Sequence, residues 1–258
     1  MTSFPINGTT LVPHYLRSHQ AVTTLDLTQR TNPLIDGEFA DLVADYPNLT
    51  FLALDVSSLS GEFFYQLQRL ERLTDLHLVG SCSREFFLAG DLNFPAIQSL
   101  VLDGLDVSEG VLEFIGDHLF PNVQELHLKN VSVLRPAELM CIKFFSNLIF
   151  LKVEEMRLGD SFFGAVAGLT QLEQLGISGS NIGVSMINAK FPASLRELIL
   201  TNALTPFWDT LGFQQRLSQV VAKLASSVMV TGFDTIGLPP IQAPVILLGR
   251  AVPRALFV

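Results

Sequence analysis

Cysteine is nearly absent from the chain. Only Cys82 and Cys141 occur in 258 residues, far apart and without Cys-x-x-Cys spacing, so neither a disulfide framework nor a cysteine zinc site is supported. Basic residues are also scarce. Sixteen Lys and Arg face twenty-five Asp and Glu, and a formal charge of -9 repels a polyanion instead of releasing its counterions. Nucleic acid is therefore not expected as a partner. No apolar run is long enough to span a bilayer, because the richest stretch, 236–258, is broken by prolines and by Arg250 and Arg254. The first twenty residues lack the basic start and apolar core of a secretory signal, so a cytoplasmic location is expected, a nuclear one being the alternative. No G-x-S-x-G, H-E-x-x-H or glycine-rich phosphate loop is present, and the GSCS at 80–83 has no context for nucleophilic catalysis. The reading is therefore of a noncatalytic chain without cofactor or metal.

What the chain has is apolar content, 48%, in a recurring order. The stretch PNVQELHLKNVSV (121–133) alternates apolar and polar residues with the period of a strand. Its core recurs as VTTLDL at 22, LTFLAL at 49, LTDLHL at 73, IQSLVL at 97, LIFLKV at 148, LEQLGI at 172 and LRELIL at 195. These eight units are spaced by 27, 24, 24, 26, 25, 24 and 23 residues, a period that marks a solenoid. Positions 4 and 6 of each unit point inward, and positions 3, 5 and 7 outward. One unit cannot bury its own leucines. Eight stacked at ~4.8 Å per strand make a parallel sheet roughly 35–40 Å wide over one continuous core.

Between these rungs the period shifts toward 3.6. Phe39, Leu42, Val43 and Tyr46 form a helical stripe, with Asp36 as a candidate cap; Ser108 and Asp160 are candidate caps for later helices. Paired phenylalanines in EFFYQL, REFFLAG, IKFFSN and DSFFGAV are expected to wedge between helix and sheet. Prolines at 47, 95, 121 and 192 stop the helix and force the chain extended into the next strand.

The L-x-x-L-x-L motif at this period resembles the leucine-rich-repeat superfamily, and the helix-containing units resemble its ribonuclease-inhibitor-like subclass. FPNVQELHLKNVSV and FPAIQSLVLDGLDV are similar to repeats that accompany F-box domains in ubiquitin-ligase substrate receptors. The resemblance implies an α/β leucine-rich-repeat solenoid, with a curved parallel sheet on the concave side and short helices on the convex side. Residues 1–21 would form an N-terminal cap, 22–205 the eight repeats, and 206–258 a C-terminal cap with an irregular ninth strand near Val228 and Val230 and an apolar tail. Two departures stand out. The family's Asn or Cys at position 9 is replaced by Arg30, Ser57, Ser81, Leu105, Val131, Met156, Ser180 and Ala203, so apolar or hydroxyl groups must close the turns. The residues before the first rung are too few for an F-box, so a ligase role would need a separate recruiting subunit.

The outward positions and the turns beside them carry nine carboxylates against three cations, which makes the expected concave face acidic. The candidate contact residues are Asp55, Asp75, His77, Asp103, Glu125, His127, Lys129, Phe150, Lys152 and Glu154, and repeats four to six come first among them. Such a face suits a protein partner, a basic one in particular. His77 and His127 lie two rungs apart, ~9–10 Å by strand spacing, too far to share one metal, and are read as exposed polar side chains. The leading reading is a protein–protein interaction module. The alternatives are a substrate-recognition subunit of a ubiquitin ligase and a parallel β-helix enzyme acting on polysaccharide.

Overall fold

Alternating leucines lead to one open parallel sheet in which each strand pairs with the next along the chain. The computed structural model describes residues 21–82, 84–88, 92–107, 110–133, 136–180, 186, 189–201 and 229–231. Its strands are β1 (Thr24–Asp26), β2 (Phe51–Asp55), β3 (Asp75–Val79), β4 (Ser99–Asp103), β5 (Glu125–Lys129), β6 (Phe150–Glu154), β7 (Gln174–Ser178), β8 (Glu197–Thr201) and β9 (Met229–Thr231). Leu25, Leu52, Leu76, Leu100, Leu126, Leu151, Leu175 and Leu198 form one in-register row, so no rung slips against its neighbour. All eight are buried, as are the residues at position 6. Burying one such leucine stabilises the fold by roughly 2 kcal/mol. A slip of one residue would turn the whole row into water. The pairing of β9 with β8 gives the expected ninth strand, with Met229 opposite Glu197. Residues 1–20 of the expected N-terminal cap, the Ser108 cap, the expected C-terminal cap apart from β9, and the apolar tail lie outside the described residues.

Helices fill the return path: α1 (Asp36–Asp45), α2 (Glu62–Leu67), α3 (Arg84–Phe87), α4 (Val111–Phe114), which runs into a π-helical turn at Ile115–Leu119, a 3-10 segment at Pro136–Phe144, and α5 (Asp160–Ala167). A β-helix would need strands there, so that alternative has no place in this architecture. The stripe Phe39, Leu42, Val43 and Tyr46 is buried as expected, and so are Phe63, Phe64, Phe86, Phe87, Phe145, Phe162 and Phe163. The aspartate caps are not formed. Asp36 and Asp160 sit inside the first turn of α1 and α5, where neither helix has a side-chain cap bond. Asp36 Oδ1 instead accepts a 3.0 Å hydrogen bond from Ser60 N, one repeat further on.

Two corner devices keep the repeats in step. At the start of each strand, the position 2 carbonyl accepts from two successive N–H groups of the next repeat, as Gln98 O does from Gln124 and Glu125 at 2.8 and 3.0 Å. Side-chain amides reinforce this corner: Asn122 Nδ2 donates to Pro95 O at 3.0 Å and Asn147 Nδ2 to Pro121 O at 3.1 Å. The missing asparagine ladder of position 9 is thus partly rebuilt at the other end of the strand.

After the strand, position 8 turns left-handed at Gly80, Gly104, Asn130, Glu155 and Gly179, with φ of 114, 76, 47, 57 and 58°. Hydroxyls then close the turn, as their presence at position 9 implied. Ser81 N donates to Ser57 Oγ at 3.0 Å. Buried Ser180 Oγ accepts from Met156 N at 3.1 Å and donates to Ser178 O at 3.0 Å. Ser180→Ala leaves that buried N–H without its acceptor and is expected to cost about 1–2 kcal/mol. Urea denaturation would show a lower midpoint at unchanged slope; an unmoved midpoint would show that another acceptor takes over.

Candidate functional site

Strand register decides which side chains share the concave face. Position 5 contributes the row Asp26, Ala53, His77, Val101, His127, Lys152, Gly176 and Ile199, one residue per strand from β1 to β8. Position 7 contributes Asp55, Val79, Asp103, Lys129 and Glu154 from β2 to β6. Position 3 places Asp75, Glu125 and Phe150 on β3, β5 and β6, with Phe150 directly opposite Glu125. All ten sequence-selected residues therefore stand on one sheet face.

They do not present one uniform charge. Lys129 Nζ donates to Asp103 Oδ2 at 3.0 Å, and Lys152 Nζ lies 2.7 Å from Glu154 Oε1. His127 Nε2 lies 3.0 Å from the other Glu154 oxygen. The hydrogen bond to Asp103 and the charge of that carboxylate raise the Lys129 ammonium above its ordinary value. Burial pushes the Glu154 carboxyl up, but the Lys152 hydrogen bond and the charges of His127 and Lys152 outweigh it and leave the group below its ordinary value. Asp103 and Glu154, two carboxylates of repeats four to six, are thus neutralised internally.

Repeats one to three differ. Asp26 Oδ1 accepts from Thr28 N and Oγ1 at 2.9 and 2.7 Å, Asp55 Oδ1 from Ser57 N at 2.8 Å, and Asp75 Oδ2 from Thr74 Oγ1 at 2.6 Å. These neutral donors leave the negative charge uncompensated. Two of the three are Asx-turns with Thr or Ser two residues on, a spacing readable in the sequence and overlooked there. Glu173 and Arg196 belong to position 2 and pair with each other at 3.7 Å.

The histidines are not the exposed side chains expected. His127 is only 8% exposed, and His77 is half-buried with its Nε2 buried and without a hydrogen-bond partner among the described residues. Neighbours within a row stand only ~4.8 Å apart, so long side chains cover short ones. Ala53, beside His77, is 1% exposed, and a Cβ on Gly176 would come within 3.2 Å of Lys152 Cγ. Burial depresses both imidazole pKa values. At His77 the charges of Asp103 and Asp26 oppose that effect, and at His127 Lys152 adds to it while Glu154 opposes it. Burial also pushes the Cys82 thiol up to about 12, which leaves it a poor nucleophile near neutrality. Among the described residues no group of three His, Cys, Asp or Glu side chains is placed to hold a metal ion.

No family profile matches the chain, and no curated protein matches it in sequence. Solved structures do. The structure of a TLR13–ssRNA13 complex superposes with a TM-score of 0.52 at 18% identity, over 72% of this chain and 26% of that one. The fold is that of a leucine-rich-repeat solenoid. Internalin C2 from Listeria monocytogenes gives a TM-score of 0.49 at 17% identity, over 82% of this chain and 81% of that one. The mouse RP105/MD-1 complex gives 0.44 at 16%, over 86% and 44%. The candidate site of this solenoid is its inner sheet, whose geometry offers a surface for contact rather than a pocket.

Proposed function

We propose that this solenoid is a noncatalytic protein-binding module whose concave sheet takes a basic segment of a partner, with the footprint over β1–β3. The observation that carries this is the division of charge. Asp26, Asp55 and Asp75 accept only from neutral groups, whereas Asp103 and Glu154 already hold Lys129 and Lys152. Incoming lysine or arginine gains more from an uncompensated carboxylate than from one whose native partner it must displace. Half-exposed Phe51 stands in the same region, opposite Asp75, and offers an apolar contact among the acids. The TLR13 structure is named as a complex with ssRNA13. For this chain, the uncompensated aspartates favour a cationic protein segment over a polyanion.

Fluorescence anisotropy with a labelled nonaarginine peptide tests the reading. Asp55→Lys with Asp75→Lys is expected to weaken binding about tenfold or more, since each converts attraction to repulsion on a steered surface. Asp41→Lys with Glu62→Lys, both exposed on the convex helices α1 and α2, changes the net charge by the same amount and serves as the control. Equal loss in both variants would move the binding off the concave face and sink the proposal.

A further inference from the structure

Burial of two histidines in the middle of a surface meant for contact needs a physical account. A buried nitrogen without a partner costs stability, about 1–3 kcal/mol, and an aliphatic side chain at position 77 would avoid that cost. His77 stands between Ala53 and Val101 in its row and feels Asp26 from β1, Asp103 from β4 and Lys129 from β5. His127 stands between Val101 and Lys152, with Glu154 of β6 3.0 Å away and His77 two strands off. Val101 is the only residue between them in the row, so the imidazoles and the carboxylates facing them make one patch.

We propose that His77 and His127 make the concave face a proton-gated docking surface, on which a basic partner held at neutral pH is released when the two imidazoles take up protons. The gate rests on the reading of this face as a dock for a basic chain. At neutral pH both rings are neutral and Asp26, which no cation pairs with among the described residues, keeps its full field. On acidification a protonated His77 becomes an internal counter-ion for Asp26, beside the Asp103–Lys129 pair. A protonated His127 competes with Lys152 for Glu154. The first change puts positive charge inside the β1–β3 footprint, and the second adds it two strands away on the same face.

Folding carries the same sign. A histidine whose folded pKa is depressed below its unfolded value of about 6.5 leaves stability intact above that value. That stability falls away as pH drops from there through the folded value. Acid thus loosens the site as well as recharging it.

The experiment follows nonaarginine binding to the full chain from pH 7.5 to 4.5, in the wild type and in His77→Gln and His77→Gln/His127→Gln, with imidazole titration by NMR and circular-dichroism melts alongside. His77→Gln is the variant least at risk of misfolding, because His77 Nε2 has no hydrogen bond to lose among the described residues. The wild type is expected to bind about tenfold more weakly at the acid end, with midpoints below 6.5 for both imidazoles. The double variant should lose most of that pH dependence, and His77→Gln part of it. Binding that is equally acid-sensitive in all three would assign the effect to carboxylates and overturn the gate. Acid-insensitive wild-type binding would overturn it too, while leaving the docking face intact. No binding at pH 7.5 would overturn the docking reading itself, and the gate with it.

Discussion

Phe64→Ala is expected to be the most destabilising single truncation in the described structure, at about 4 kcal/mol. The Phe64 ring is fully buried and meets five others, with centroids 5.0 Å away at Phe63, 4.9 Å at Phe86, 6.1 Å at Phe87, 6.0 Å at Phe94 and 6.4 Å at Phe120. Those rings come from three consecutive convex segments, so the cavity opens where the second, third and fourth repeats meet. Rings held on the helices and turns of three repeats cannot all relax into it. Phe64→Leu keeps most of the volume and should cost less than about 1.5 kcal/mol. Tyr65→Ala, one residue on and half exposed, should change stability by no more than about 0.5 kcal/mol. Urea denaturation followed by circular dichroism would rank the three, and a Phe64→Ala protein as stable as Tyr65→Ala would mean that the aromatic cluster does not hold the repeats together.

Gly80→Ala should destabilise by about 2–3 kcal/mol through two independent effects. Its φ of +114° lies where an L side chain is strained, and a Cβ would run into Ser57 Oγ and Asp55 Oδ1. Moving the Asp55 carboxylate aside would relieve the clash only by breaking the bond it accepts from Ser57 N at 2.8 Å. Gly37 supplies the contrast. It lies within α1, has no atom within 4 Å of a built Cβ and has no left-handed φ. Gly37→Ala should therefore gain roughly 0.5 kcal/mol, largely by narrowing the unfolded ensemble. Thermal melts of the pair should move in opposite directions; movement in the same direction would contradict the geometry of the position 8 turn.

The rungs were legible because a strand's period of two makes each leucine report its own burial, and a spacing shared by eight units fixes the register of all. The turns were partly legible: glycine marks the left-handed residue at 80, 104 and 179, but Glu155 adopts φ 57° with nothing in its type to show it. The helix starts at Asp36 and Asp160 were misjudged because a cap depends on backbone dihedrals one residue earlier, which composition does not encode. The face was the hardest part. Counting charges finds the acids, but Lys129 neutralises Asp103 only because both occupy position 7 of adjacent strands. The burial of His127 depends on its neighbours in the row, not on its own rung. A reading across the rungs at fixed position, rather than along each, would have recovered the Asp103–Lys129 pair and the aspartates left over.

The shared carbonyl at the start of each strand bonds only to the following coil. Among the described residues no bond of this kind spans distant coils, so a pull along the stack meets no latch that would fail all at once. Extension should peel it unit by unit, each event releasing a nearly constant contour length, the signature of a mechanical spring rather than of a brittle globule.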